Sequence, residues 1–202
     1  MIPMDRAEFY AEQIAAYKEG GKPTRAVDII DVFIFNSDGE ILIQKRSYNK
    51  THNPGLLDKS IGGHITYDDN VEHSVMVETV QELQTPSIVL RSVKDFNKTF
   101  TVLNSYLETV AIIKHGASEI FHLTKIIQEE EIVIANKAHL FFGVYDGRIR
   151  PVDKEAKGVL YYTLDELLDE MKKFPETFAH DMHFFIEKYE KEMREFVEFV
   201  KR

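Results

Sequence analysis

The chain has 202 residues, 44% of them apolar, and carries 25 Lys and Arg against 34 Asp and Glu, a formal net charge of −9. That length and composition suit one packed domain with additions and exclude a disordered chain. The absence of Cys excludes disulfides, thiolate zinc sites and cysteine nucleophiles, and suits a reducing cytoplasm.

No apolar run approaches the roughly 18–20 residues that cross a bilayer, so no membrane association is expected. The opening MIPMDRAEFYAEQ has acidic residues where a signal peptide would be apolar. With no basic block, the chain is not expected to bind nucleic acid. An acidic protein that handles phosphates needs a metal or a few well-placed cations to offset repulsion.

In chain order, 5–18 reads as a short helix ended by Gly20, Gly21 and Pro23. The β-branched and aromatic run AVDIIDVFIF, 26–35, predicts a strand. The turn signal NSDGE and the run ILIQKR, 41–46, complete a hairpin. Residues 47–60 form a polar loop with a Pro-Gly turn, and 71–83 are helical. Helical spacing continues over 92–107, and 109–114 and 119–127 predict two strands. AHLFFGVY, 138–145, predicts a strand ended by Asp146-Gly147, and GVLYY, 158–162, another. Thr163 caps a helix with Glu166 at the capping-box position, and Pro175 closes it. In a last helix, 181–200, Phe185, Tyr189, Met193, Phe196 and Val200 share one face. Strands interleaved with helices place the chain in the α/β or α+β class with a mixed sheet.

GGHITYDDNVEHSVMVETVQEL, 62–83, joins a Gly-Gly turn to a helix with spaced carboxylates. At about 100° per residue, Glu78, Gln81 and Glu82 share a face. Met76, Val80 and Leu83 gather opposite, where a sheet would bury them. Mg²⁺ takes oxygen ligands, usually one or two carboxylates plus substrate phosphates, and two Glu one turn apart supply them. The same spacing also suits an ordinary solvated helix face.

The segment resembles the Nudix hydrolase family, whose box reads G-x5-E-x7-R-E-U-x-E-E-x-G-U, with U apolar. Gly63, Glu78 and Glu82 match; Asp69 and Gln81 are near substitutes; Val77, Thr79, Gln84 and Thr85 depart. The flanking VFIFNSDGEILIQKRSYNKTHNPGLLDKSIGGHI is similar to the subgroup related to isopentenyl diphosphate isomerase. Gln44, Arg46, Ser47, Lys50, Pro54, Gly55, Asp58, Ser60, Gly62, Gly63 and His64 match in order. YDGRIRPVDKEAKGVLYYTLDEL and ETFAHDMHFFIEKY extend the resemblance over 138–190.

The resemblance implies one Nudix-type domain, a mixed sheet between helices, with an N-terminal extension, 1–24, and an insertion at about 87–137. It implies Mg²⁺- or Mn²⁺-dependent hydrolysis of a small diphosphate, such as a nucleoside diphosphate linked to another group. Glu78, Glu82, Gln81, Gly63 and Asp69 would hold the metal, with Glu78 and Glu82 catalytic, and Arg46 and Lys50 would bind phosphate. The general base is unassigned; Glu155, and Glu131 in the run 129–131, are candidates from loops expected near the site, where an ordinary solvated acidic loop is the alternative. Gln81 brings no charge and cannot act as a base. Val77 replaces an Arg that holds the helix carboxylates in the family, leaving them less fixed. Isomerase chemistry relies on a Cys near the active centre, and this chain has none. The alternative is a Nudix-fold protein that binds a ligand or serves assembly without turnover. His180 and His183 are too scattered for a ligand set. The apolar face of the last helix and the insertion, with surplus surface to bury, predict a homodimer.

Overall fold

The computed structural model describes residues 2–50, 53–127, 130–149 and 156–202. In chain order the elements are α1 (Arg6–Gly20), β1 (Ala26–Phe35), β2 (Ile41–Arg46), β3 (Leu57–Asp58), β4 (Ile61–His64), α2 (Val71–Leu83), β5 (Ser87–Leu90) and α3 (Val93–Leu103). They continue as β6 (Ala111–Ile127), β7 (Glu130–Val144), β8 (Ala156–Tyr162), α4 (Leu164–Lys173) and α5 (His180–Val200). The mixed α+β class is as expected.

The strands form one sheet in the order β3-β2-β1-β7-β6-β5. β4 adds to β1 and β8 to β2. The β1–β7 and β5–β6 pairs are parallel, and the others antiparallel. Side chains alternate across the sheet. From β1, Phe33 and Phe35 face a core closed by α3, α4 and α5, with Phe96, Leu167, Phe185 and Phe196. Ile30, Val32 and Ile34 face a second core closed by α2, with Val75 and Leu83. α1 lies on Ile132 and Ile134 of β7 through Tyr10. Among the described residues, no helix is long and apolar enough to cross a membrane.

The structure corrects several sequence expectations. The strands expected at 109–114 and 119–127 are one, β6, because a bulge between His115 and Ala117 carries the pairing past Gly116. β7 starts at Glu130 rather than 138, so most of the segment 87–137 is β5, α3 and a long hairpin. The loop 47–60 contains β3, too short to show a period. The expected helix over 92–107 ends at Leu103 and tightens into a 3₁₀ turn, Asn104–Tyr106. The capping box stands: the Glu166 N–H donates to Thr163 Oγ1 at 3.3 Å, and the Thr163 N–H to Glu166 Oε2 at 2.8 Å.

The phase of α2 also differs. Ser74, Val75, Thr79, Glu82 and Leu83 are buried, whereas Met76 is 43% and Val80 53% exposed. Val75, Thr79 and Leu83 lie one turn apart and seat the helix on the β1 face, which turns Met76 and Val80 outward. The Thr79 hydroxyl is satisfied by donating to the Val75 carbonyl at 2.6 Å.

Candidate active-site cleft

A cleft of about 730 Å³ opens beside β4. Gly62 and Gly63 run along it, α2 contributes Glu78, Val80, Gln81 and Gln84, and the loop after β2 contributes Lys50. Arg46, Asp58 and Lys59 line it near the β2–β3 pairing, and Arg6 of α1, Asp31 of β1, Lys125 of β6, Asn136 of β7 and Asp181 of α5 line it elsewhere.

The Gly-Gly stretch is required by close packing. A Cβ on Gly63 would lie 2.6 Å from Glu78 Oε1, and one on Gly62 would lie 2.7 Å from Lys59 Cε. Neither glycine has a positive φ, so space, not backbone strain, selects Gly here. Glu78 is thereby held against β4 at the cleft wall.

Glu82 is placed differently from Glu78. Its carboxylate points inward: Gln44 Nε2 donates to Oε2 at 2.7 Å and the Gly62 N–H to Oε1 at 3.4 Å. Gln44 Nε2 also donates to the Ser60 carbonyl at 2.5 Å. Ser60 in turn donates to the Leu42 carbonyl and accepts from the Ile34 N–H. Glu82 thus ties α2 to β2 and β4, and it is 7% exposed. Gln84 ends α2 in the left-handed region at φ 54, with its N–H donating to the Thr79 and Val80 carbonyls. This is the position where the box pattern has Gly.

The cations of the cleft are set by carboxylates. Arg46 Nη1 donates to Asp58 Oδ2 at 2.9 Å. Lys59 is buried, with its ammonium 2.7 Å from Asp31 Oδ1, 2.5 Å from Asp181 Oδ2 and 3.4 Å from Asp58 Oδ1. Burial alone would lower its pKa; Asp181, Asp31 and Asp58 outweigh it and hold the ammonium well above its ordinary value. Burial pushes the fully enclosed Asp31 carboxyl up to about 6, with Asp181 and Asp58 adding and Lys59 opposing. For Asp181, burial is outweighed by Lys59 and Lys125, which hold it below its usual range. Burial lowers Lys125.

Of the sequence candidates, Gly63, Glu78, Gln81, Arg46 and Lys50 meet at this cleft. Asp69 stands at the surface before α2, 3.3 Å from His73 Nδ1, and does not line it. Glu131 is exposed on β7, paired with Ile126 near the hairpin end, and does not line it either. Glu155 lies outside the described residues. His183 is engaged with the Pro175 carbonyl at 2.9 Å, and it is Asp181 from that stretch that enters the cleft.

The residues of the expected metal set that line the cleft, Glu78, Gln81 and Gly63, offer oxygen donors, which suit a hard divalent cation in kind. They are few. Among the described residues no three His, Asp or Glu side chains stand together to hold a metal. Such a set fits an ion that completes its shell from substrate phosphates and water.

Sequence reasoning missed Asp31, Lys59, Lys125, Asn136 and Asp181. The signal available was charge out of place: Asp31 interrupts the apolar run IIDVFIF.

Comparison with known proteins bears on the family and the fold. The chain is 24% identical over 148 residues, 73% of its own length and 68% of the other's, to an isopentenyl-diphosphate Δ-isomerase of Serratia proteamaculans. It is 29% identical over 98 residues, 48% of this chain and 57% of the other, to a Nudix hydrolase of Deinococcus radiodurans. Among solved structures, DR0079 of Deinococcus radiodurans superposes with a TM-score of 0.57 at 16% identity, covering 84% of this chain and 88% of that one. A MutT protein of Methanosarcina mazei Go1 superposes with a TM-score of 0.55 at 19% identity, covering 85% and 96%. These two likenesses concern the fold. The model of the NUDIX domain matches residues 25–182, most of the chain, and the protein belongs to the Nudix family.

Proposed function

We propose that the protein hydrolyses a small molecule containing a diphosphate linkage, of the nucleoside-diphosphate-linked kind, with Mg²⁺ or Mn²⁺. The observation that carries this reading is that one cleft gathers the cations Arg46 and Lys50 with the oxygen-bearing side chains of Glu78 and Gln81 and the glycines Gly62 and Gly63. The names of relatives, a Nudix hydrolase and an isopentenyl-diphosphate isomerase, support a diphosphate ligand.

Arg46, oriented by Asp58, and Lys50 bind the phosphates. Glu78, the Gln81 amide oxygen and the Gly63 carbonyl hold the cation. Bound there, a divalent ion neutralises the diphosphate and lowers the pKa of a water. Glu82 positions rather than reacts: through Gln44 and the Gly62 N–H it fixes the strand that carries Gly63 beside Glu78.

A second reading, ligand binding or assembly without turnover, is favoured by the same inward turn of Glu82. It leaves Glu78 as the carboxylate that α2 contributes to the described cleft wall. Incubation with nucleoside diphosphate sugars, dinucleotides and NADH at millimolar Mg²⁺ or Mn²⁺, reading phosphate or nucleotide release, separates the two. Release abolished by Glu78→Gln supports hydrolysis. Saturable binding with no release from any compound supports the second reading.

A homodimer is also proposed, on different grounds from those in the sequence. Phe185, Met193, Phe196 and Val200 of α5 are already buried within the chain. The remaining candidate is the outer edge of β6: β5 pairs only with Ala111 to Lys114, and Ile120 beyond it is 58% exposed.

A further inference from the structure

On the α2 side of the sheet, apart from the residues that line the cleft, Asp28 of β1, Lys137 and His139 of β7, and His115 and Ser118 of β6 form one chain of polar contacts. The register sets Asp28 opposite Lys137 and Ser118 opposite His139, so these side chains share a face. His115 and Ser118 are three residues apart, an odd spacing that turns side chains to opposite faces of a regular strand. The bulge between His115 and Ala117 absorbs the extra residue and brings both to the same face. Gly116 is needed there, since a Cβ would stand 2.9 Å from Phe142 Cε2 and 3.3 Å from the Leu140 carbonyl oxygen. The His115 ring packs edge-on against Phe141, with centroids 5.2 Å apart.

Asp28 Oδ1 lies 2.9 Å from Lys137 Nζ and 3.2 Å from His139 Nε2. An ion-paired carboxylate only accepts, so His139 carries its proton on Nε2 and presents Nδ1 as a lone pair. Ser118 Oγ, 2.8 Å from that Nδ1, donates to it. With its one proton so committed, Oγ accepts from His115 Nε2 at 2.9 Å. Burial, with His139 adding, lowers the His115 pKa, which keeps this ring a neutral N–H donor. His139 is 8% exposed, whereas Ser118 is exposed, on the part of β6 that β5 does not cover.

We propose that Ser118 is a nucleophile toward small carboxylic esters, with His139 as its general base, Asp28 positioning the imidazole and the His115 Nε2–H stabilising the oxyanion. A hydroxyl bonded to a base that a third group orients is the arrangement that activates serine, whatever the fold. Oγ bonds to the ester carbonyl carbon as its proton passes to His139 Nδ1. The bond from that carbon to the alcohol oxygen breaks, and the alcohol leaves with the proton. Water, deprotonated by the same nitrogen, then cleaves the acyl-serine to a carboxylic acid and restores the hydroxyl. His115 Nε2, already beside Oγ, turns its N–H to the carbonyl oxygen as charge develops there. Nearby charges stand in pairs, Asp28 with Lys137 and Glu72 with Arg91, which favours a neutral substrate. Ile120, two residues along the same face and 58% exposed, offers an apolar contact to the acyl chain. An open face rather than a deep pocket limits that chain to a short one. Pairing along the β6 edge in the proposed dimer uses main-chain groups in the plane of the sheet, and the Ser118 side chain stands off that plane.

The test uses the full chain in EDTA, with a fluorophosphonate probe read by peptide mass spectrometry and 4-nitrophenyl acetate read by nitrophenolate release. The probe should label Ser118, and release above the buffer rate should fall at least about tenfold in Ser118→Ala, an exposed position where Ala leaves the fold intact. Asp28→Asn, which offers an amide N–H where the imidazole needs an acceptor, should slow labelling at least about tenfold, and Asp28→Glu should restore part of the rate. No label on Ser118, release that survives Ser118→Ala, or equal labelling of a folded Asp28→Asn and wild type overturns the proposal and leaves the hydrogen-bond chain a structural one. Should Asp28→Asn fail to fold, the label on Ser118 and the release by Ser118→Ala decide by themselves.

Discussion

Gln44 Nε2 donates to Glu82 Oε2 at 2.7 Å, and this one hydrogen bond joins the Nudix helix to the strand beneath the cleft. It makes Glu82 part of the framework. Glu82→Ala removes one of the two acceptors of the Gln44 amide and the acceptor of the Gly62 N–H, and is expected to cost about 1–3 kcal/mol of stability. Glu82→Gln keeps one acceptor oxygen and should cost less. Urea unfolding of both variants checks this; equal stability of Glu82→Ala and wild type would show the bond to be idle.

Gly63→Ala acts on the neighbouring wall. Its Cβ would stand 2.6 Å from Glu78 Oε1, so the carboxylate must swing away. We expect metal-dependent turnover or metal binding to fall at least about tenfold, with a small fall in melting temperature, because the whole Glu78 side chain from Cγ outward must move while no backbone atom is among the nearest neighbours. Unchanged Mn²⁺ titration of Gly63→Ala would exclude Glu78 from the cation site.

Gln84 sits at φ 54 as the C-cap of α2, a conformation that costs a side-chain-bearing residue about 1–2 kcal/mol and a Gly nothing. Gln84→Gly is therefore expected to stabilise the fold by about 1 kcal/mol, less the entropy that Gly adds to the unfolded chain. Thermal unfolding measures it, and a lower midpoint would mean the Gln side chain contributes more than its backbone loses.

Asp31 gives stability a pH dependence of definite sign. Its folded pKa, about 6, lies above the unfolded value of 3.8, so the folded state holds the extra proton between them. Stability from this group is greatest below the unfolded value and is lost as pH rises towards the folded one. Asp181 acts in the opposite sense: lowered in the fold, it contributes stability above the unfolded value that is lost in stronger acid. In denaturant titrations between about pH 4 and about pH 6, Asp31→Asn should lose the decline that wild type shows over that window. A wild-type midpoint that does not fall relative to the variant would refute the raised pKa.

The proposed dimer is tested at the β6 edge. Light scattering at micromolar concentration should give twice the mass of one chain, and Ile120→Lys should return it to one, since a charge on an edge strand opposes pairing. A wild-type monomer removes the proposal.

The sequence alone determined what depends on local period and capping. The β-branched and aromatic strand AVDIIDVFIF, the turn at NSDGE and the box at Thr163 and Glu166 are decided by residues within a few positions of one another, and each is found in the structure. The family was legible for the same reason, since its motif is a run of the chain. Tertiary structure decided the rest. Met76 and Val80 were as apolar as Val75 and Leu83, and only docking against β1 selected which pair is buried. Asp31, Lys59 and Asp181 come from β1, the turn before β4 and the start of α5, and nothing in their own neighbourhoods announces the other two. A buried charge is tolerable only where the fold supplies its partner, so such a cluster is a property of the packed molecule and not of any stretch of its sequence.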